Sequence, residues 1–286
     1  MDKIKSNKPV SIILITIIYI AASALGIWVY LNLPFALWAS LLLADAAATV
    51  FVFIFSVIFR NASVYDPYWS VQPIVITICF AVSSGITSAT VLLLISVICW
   101  GARLTYNWAY VFDGLGSQDW RYTKLKEDTG IFYPFVNLFG IHMMPTLIVY
   151  LCVLPAVYAV EARSGINAGS IIGTLMCLGA TMLQLISDTQ MHRFRESGSK
   201  GLIRTGLWKY SRHPNYLGEI IMWWGIAVQA LSVLPGKWLL MSGAAVNTLM
   251  FLTISIPLAD KRQSAKSGYE EYRRSTRSLL PIPRHV

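Results

Sequence analysis

Val10-Ser-Ile-Ile-Leu-Ile-Thr-Ile-Ile-Tyr-Ile-Ala-Ala-Ser-Ala-Leu-Gly-Ile-Trp-Val-Tyr-Leu31 contains no charged side chain. A helix needs about 20 mainly apolar residues to cross the roughly 30 Å hydrocarbon layer of a bilayer, so this stretch reads as a membrane span. It runs too long for a removable signal and lacks a convincing small-x-small cleavage site, so it is expected to stay as the first span. Working outward with the same ruler, Phe35 to Phe59, Thr87 to Tyr110, Phe139 to Tyr158, Ala168 to Thr189, Tyr216 to Leu234 and Trp238 to Leu258 are further spans. Val71 to Ser84 is apolar but short, which predicts a tilted, distorted or re-entrant piece.

Composition agrees with this reading. Of 286 residues 56% are hydrophobic and only 13% charged, whereas a soluble domain carries about 25% charged residues. A water-soluble globule is thereby excluded, and the lack of repeats or polar tracts excludes a solenoid or a disordered chain. Cys79, Cys99, Cys152 and Cys177 lie far apart in apolar runs, without C-x-x-C spacing, so they read as buried small hydrophobes and no metal site is expected. The formal charge of +9 sits in short segments between apolar runs, which points to lipid headgroups and an anionic cofactor rather than to nucleic acid. The expected fold is all-α: a polytopic transmembrane helix bundle of seven or eight spans with a short cytoplasmic C-terminal helix.

Basic connections stay on the cytoplasmic side. Lys3, Lys5 and Lys8, then Arg193, Arg195, Lys200, Arg204, Lys209 and Arg212, then Lys261, Arg262, Lys266, Arg273, Arg274, Arg277 and Arg284 form three such clusters. The connections near Asn32, Gly85, Gly165 and Gly236 carry almost no positive charge. Two cytoplasmic ends require an even number of crossings, which favours eight.

Ionisable groups inside a bilayer cost several kcal/mol, so each marks a candidate site. Asp45, Asp66, Arg103, Asp188 and Glu219 stand out. Gln184, Asp188, His192 and Arg195 fall within about 80° of arc on a helix. They form either a polar stripe descending into the basic loop or a helix end whose cations snorkel while Asp188 pairs with one of them. In Ser211-Arg212-His213-Pro214-Asn215-Tyr216-Leu217-Gly218-Glu219, Pro214 opens a helix on which Asn215, Glu219 and Trp223 share a face. Arg212 and His213 at that N-terminus, after a loop with Arg204 and Lys209, make a natural phosphate seat. The alternative is an interfacial loop anchored by Trp208 and Tyr210. From Asp260 onward the tail reads as a short amphipathic helix able to close a pocket, or as a basic tail lying on lipid. Nearer the front, Tyr65 to Trp69, Trp100 to Trp108 and Asp119-Trp120-Arg121-Tyr122 assemble aromatic, hydroxyl and acid groups. These suit an apolar substrate with one polar group; alternatively, Arg103 simply pairs with Asp66 or Asp45.

The Gln184-x3-Asp188 pair with Arg195, the run Gly206 to Glu219 and the segment Tyr272 to Pro281 resemble the steroid 5-alpha-reductase family. Asp66-Pro67-Tyr68-Trp69, Trp100 to Thr105 and Asp119 to Tyr122 resemble its bacterial DUF1295 branch, which extends the likeness over most of the chain. The resemblance implies one integral-membrane domain over residues 1–286, with substrate-side helices in 1–135 and a cofactor-binding region in 136–286, placed in a bacterial inner membrane with the cofactor site facing the cytoplasm. It implies NADPH as cofactor and reduction of the double bond of an enone lipid such as a 3-oxo-4-ene steroid. Gln184, Asp188, His192, Arg195, Arg204, Trp208, Tyr210, Arg212, His213, Asn215, Tyr216, Glu219, Arg262, Tyr272 and Arg274 are then the cofactor-binding candidates. Gln184 stands where eukaryotic members carry Asn, and the early Gln-Glu pair of those members has no clean match here; Asp66 with Tyr65, Tyr68 or Tyr106 are substitutes by order along the chain.

Hydride delivered to the β carbon of an enone pushes negative charge onto its oxygen, so such a site needs a donor there and a proton for the α carbon. A Tyr hydroxyl bonded to a carboxylic acid kept neutral by burial serves both needs; the expected set is Asp66 beside Tyr106, with Tyr65. The Arg-His-Pro-x-Tyr-x-Gly run with a Tyr-x-x-Tyr tail is also similar to membrane methyltransferases of the isoprenylcysteine and phospholipid type, which use S-adenosylmethionine. Their early tail Glu-Glu pair is replaced here by Asp260-Lys261-Arg262, which favours the reductase. A transporter would place its polar groups near mid-bilayer between repeated halves, and no repeated half is seen.

Overall fold

The structure, a computed structural model, describes residues 7–282. Lys3, Lys5 and Arg284, counted above among the basic clusters, lie outside the described residues. Helix α1 spans Lys8–Asn32, α2 Leu37–Phe59, α3 Tyr68–Ser84, α4 Ser88–Val111, α5 Trp120–Thr129 and α6 Met144–Glu161. Helix α7 spans Ala168–Glu196, α8 Pro214–Val233, α9 Ser242–Met250, α10 Ile256–Ser264 and α11 Tyr269–Ser275. The fold is the expected all-α membrane bundle with a short helix near its C-terminus. Among the described residues, seven helical segments are long and apolar enough to cross a membrane. The eighth expected piece, α3, has 17 residues with Pro73 inside it; at 1.5 Å per residue it reaches about 25 Å, short of a full hydrocarbon layer.

One boundary differs from expectation. The span predicted from Phe139 to Tyr158 belongs to a helical run from Trp120 to Glu161, capped by the Asp119 carboxylate, which accepts from the Arg121 N–H. Its polar first turns hide the helix from a hydropathy ruler. The run passes through a π-helical stretch, Val136–Met143, before α6.

The chain forms two compact units, Met1–Cys79 with Leu104–Leu154 and Phe80–Arg103 with Pro155–Val286. In the first, α1 turns Ser11, Ile15, Ile18, Tyr19 and Ala22 inward, while Ile13, Ile17, Ile20, Trp28 and Leu31 stay exposed. This apolar-out pattern suits a helix whose outer solvent is lipid. Tyr19 Oη donates to the Val64 carbonyl at 2.6 Å, and Asn61 Nδ2 donates to Leu115 O and Ser117 O at 2.8 and 2.9 Å. The loop after α2 is thereby stitched to the loop after α4.

In the second unit α7 and α8 run antiparallel at close range. A Cβ on Gly173 would sit 2.5 Å from the Gly225 carbonyl oxygen, and one on Gly218 2.5 Å from Gln184 Cγ. Small residues let the two backbones approach, which replaces the hydrophobic drive that lipid does not supply. Asn167 opens α7 with a reciprocal cap to Ser170. Its Nδ2 also donates to Ser232 O at 3.3 Å, tying the start of α7 to the end of α8.

Candidate functional site

The close α7–α8 contact forces their polar residues to face each other. Gln184 Nε2 donates to Glu219 Oε2 at 2.7 Å, and Trp100 Nε1 from α4 donates to the same oxygen at 2.9 Å. Trp223 Nε1, one turn further along α8, donates to Glu219 Oε1 at 2.9 Å. Arg103 from α4 completes the set: its Nη1 meets Asp188 Oδ2 at 2.9 Å and its Nη2 meets Gln184 Oε1 at 2.8 Å, with Glu219 Oε2 at 3.9 Å. Arg103 therefore pairs with Asp188, and not with Asp66 or Asp45, the alternative that the sequence left open. The reason is register: α4 lays Trp100 and Arg103, three residues apart, onto the α7–α8 seam. Asp188 is likewise partnered by a buried cation from another helix rather than by a snorkelling one.

The loop before α8 is held from several directions. Trp208 Nε1 donates to Ser187 O at 3.2 Å and Leu207 N to Gln190 Oε1 at 2.9 Å, while Gly206 takes φ +59° in a space that a Cβ would have to share with Gln190. Arg212 Nη2 and His213 Nε2 both engage Asp260, at 2.8 and 2.9 Å, and the His213 ring stacks on Tyr216 with centroids 5.2 Å apart. The chain after α11 returns alongside: Arg212 N donates to Arg277 O and His213 N to Ser278 O, and Tyr272 Oη donates to Trp208 O. Arg204 reaches Glu271 at 3.0 Å and Tyr210 is exposed. The tail thus closes over the 201–213 loop. Asp260, the clamp of that closure, was not separable by sequence from an ordinary interfacial acid.

Further basic residues lie around this loop. Burial, with Arg262 and Arg195 nearby, pushes the Lys266 amine below the usual lysine range; its Nζ donates to Gly201 O at 3.0 Å. Arg195, Arg262 and Arg274 are exposed. His192 and Asn215 are half-buried, and His192 lies within electrostatic range of Asp188.

In the first unit Asp66 accepts from Tyr122 Oη at 2.6 Å, while Tyr106 is 65% exposed. The expected Asp66–Tyr106 pair is corrected to Asp66–Tyr122, because the stitched loops carry the start of α5 over Asp66 and α4 turns Tyr106 outward. Burial raises the Asp66 carboxyl to about 6, against the lowering effects of Tyr122 and Arg121. Tyr65 is buried and its hydroxyl pairs with Thr146 Oγ1 at 2.8 Å. His142, which the hydropathy reading passed over inside an apolar run, is fully buried nearby, with its ring centroid 4.7 Å from that of Tyr65.

Among the described residues no cluster of His, Cys, Asp and Glu could hold a metal ion. No solved structure matches the chain. An uncharacterised protein of Schizosaccharomyces pombe is 26% identical over 57% of this chain and 56% of its own length. The 3-oxo-5-alpha-steroid 4-dehydrogenase 1 of Macaca fascicularis is 28% identical over 39% of this chain and 40% of its own length. The chain therefore spans about half the length of the curated relatives it matches. Residues 52–276 match the family model described as a protein of unknown function, DUF1295, and that match covers most of the chain; the chain belongs to the DUF1295 family and is distantly similar to the steroid 5-alpha-reductases.

Proposed function

We propose that this chain is a membrane oxidoreductase that reduces the carbon-carbon double bond of an enone lipid, of the 3-oxo-4-ene steroid kind, with NADPH as reductant. The observation that carries the reading is the inward-facing polar seam of α7 and α8, at residues resembling the reductase motif, in a chain similar to a 3-oxo-5-alpha-steroid 4-dehydrogenase. The donor set fits a polyanionic dinucleotide. Burial, and to a lesser degree the nearby Arg262 and Arg195, depresses the Lys266 amine, and an anion at these cations offsets both effects. Asp188, 14% exposed at its side chain, and half-buried Asn215 and His192 offer polar groups to the uncharged end.

In this reading Asp188, Asn215 and His192 hold the nicotinamide end, and Arg195, Arg262 and Lys266, with Arg204 and Arg274, hold the phosphates. When bound, NADPH supplies the hydride. Arg212 and His213 act through Asp260, which secures the tail across the loop. Glu219 has donors on both oxygens, so its role is to fix Gln184 and two indoles rather than to reach the cofactor. Within the first unit, the Tyr122 hydroxyl, paired with Asp66, is the kind of donor that charge developing on an enone oxygen requires. Asp66, raised by burial, holds a proton behind it more readily than an exposed carboxylate does.

The test is thermal stability of the detergent-purified protein with NADPH, NADH or S-adenosylmethionine, since a ligand that binds the folded state raises the apparent melting temperature. NADPH is expected to give the largest rise and to be consumed when a 3-oxo-4-ene steroid is added. Stabilisation by S-adenosylmethionine alone overturns the proposal in favour of a methyltransferase.

A further inference from the structure

The seam between α7 and α8 carries more acid than base. Arg103 is shared by two acids, with Nη1 2.9 Å from Asp188 Oδ2 and Nη2 3.9 Å from Glu219 Oε2. The other neighbours of Glu219 are neutral N–H donors, from Gln184, Trp100 and Trp223. Arg103 also fixes which way the Gln184 amide faces: a guanidinium can only donate, so Gln184 turns Oε1 to Arg103 Nη2 and Nε2 to Glu219. A carboxyl group ringed by donors is held as the carboxylate, because a proton on it would find no acceptor. Two carboxylates therefore face one guanidinium, and one negative charge is left over.

That charge is buried. The Arg103 and Glu219 side chains are each 7% exposed, and the seam lies within membrane-spanning helices, where a charge is screened far less than at the surface. Asp188 is the open end of the seam: Asn215 bonds its carboxyl, and His192, one turn further along α7, lies within electrostatic range. Arg195 and Arg262 are exposed to water, which screens them from the seam. The two ends of the candidate site are thus opposite in sign, with cations at the loop and an excess of negative charge between the helices.

We propose that the leftover charge of Asp188 and Glu219 makes the site discriminate between the two redox states of a nicotinamide dinucleotide, binding the oxidised form, whose ring is a cation, more tightly than the reduced form, whose ring is neutral. The inference rests on the proposed function, because it takes the nicotinamide end to lie toward Asp188. The phosphates are the same in both forms, so the cationic loop cannot tell them apart; specificity is a difference of affinities, and here only the charge of the ring differs. Glu219 touches no ligand in this reading and acts through its charge alone. Tenfold tighter binding of the oxidised form lowers the potential of the bound couple by about 30 mV, which makes the bound dinucleotide the stronger reductant.

The experiment is titration calorimetry of the detergent-purified protein with NADP+ and, separately, with NADPH, at pH 8, above the ordinary histidine range. NADP+ is expected to bind about tenfold more tightly than NADPH. Asp188→Asn removes the excess charge and should bring the ratio of the two affinities close to one; Glu219→Gln should narrow it as well. A substitution that merely loosens the fold weakens both dinucleotides alike and leaves their ratio unchanged, so the ratio reads charge rather than structure. Equal affinities in the unaltered protein, a preference for NADPH, or a ratio that survives both substitutions overturns this inference alone. Binding of neither dinucleotide overturns the proposed function and the inference with it.

Discussion

Around Glu219 both carboxylate oxygens have donors in good geometry and Arg103 lies across from two acids, whereas Asp45 keeps only looser contacts with Gln72 and Tyr68. The two clusters are similarly buried and similarly rich in aromatic residues, so burial is not what separates them. In the second unit the glycines of α7 and α8 bring the helices close enough for side chains to satisfy one another. In the first, Tyr122 holds Asp66, but Asp45 is shielded from water with only the looser contacts of Gln72 and Tyr68. A closed network holds a frame, and an open one leaves room for chemistry or for a ligand.

The largest expected effect comes from breaking the closed network. Arg103→Met leaves Asp188 and Glu219 facing each other without their cation, and a loss of about 3–5 kcal/mol is expected, read as a lower denaturation midpoint in detergent. Asp45→Leu in the open cluster should cost nothing comparable; if it costs as much, the contrast between the clusters fails.

Next comes the helix contact that closes the network. Gly225→Ala places a methyl carbon 2.6 Å from Cys177 Sγ and 2.8 Å from the Gly173 carbonyl oxygen, so the backbones must separate, at about 1–3 kcal/mol. The same change at Gly179, which has nothing within 4 Å, should be neutral or slightly favourable. Equal effects at both positions would sink the close-packing account.

A smaller effect concerns pH. Burial raises the Asp66 carboxyl to about 6 from an unfolded value near 4, so the folded state holds the proton more tightly than the unfolded chain does. The resulting stabilisation is complete below about pH 4 and is lost as pH rises through about 6, a change of at most about 3 kcal/mol. Asp66→Asn should flatten that part of the stability profile. Tyr122→Phe removes a donor that holds the carboxyl down and should steepen it.

The smallest effect expected on folding is at Asn215. Its backbone oxygen accepts from Gln184 at 3.4 Å and its side chain is half-buried, so Asn215→Ala should change stability by less than about 1 kcal/mol. Under the proposed function it should weaken NADPH binding about tenfold by titration calorimetry. Unchanged binding would remove the seam from the cofactor site.

Much of the frame was legible in the residues. Charge-free runs such as Val10 to Leu31 report their partition into lipid directly, because the cost of a charge in hydrocarbon is larger than any local propensity. The i, i+4 spacing of Gln184 with Asp188 and of Asn215 with Glu219 placed each pair on one face, since helical periodicity is a local property. Expectations broke where a partner came from far along the chain. Arg103 and Asp188 are 85 residues apart, Tyr122 and Asp66 56, and His213 and Asp260 47; in each case more than one acid or hydroxyl competed for the same place by order alone.

What the sequence by itself determined is the medium and the secondary structure: an all-helical chain solvated by lipid, with a few polar faces and an uneven distribution of positive charge. Hydrophobic partition and the helical repeat are short-range, so they can be read one segment at a time. Only the tertiary structure decided which buried acid meets which donor. Buried electrostatics act over a few ångströms and depend on the rotation of each helix about its axis, and that rotation is set by side-chain packing at contacts such as Gly173 against Gly225, which no single segment encodes.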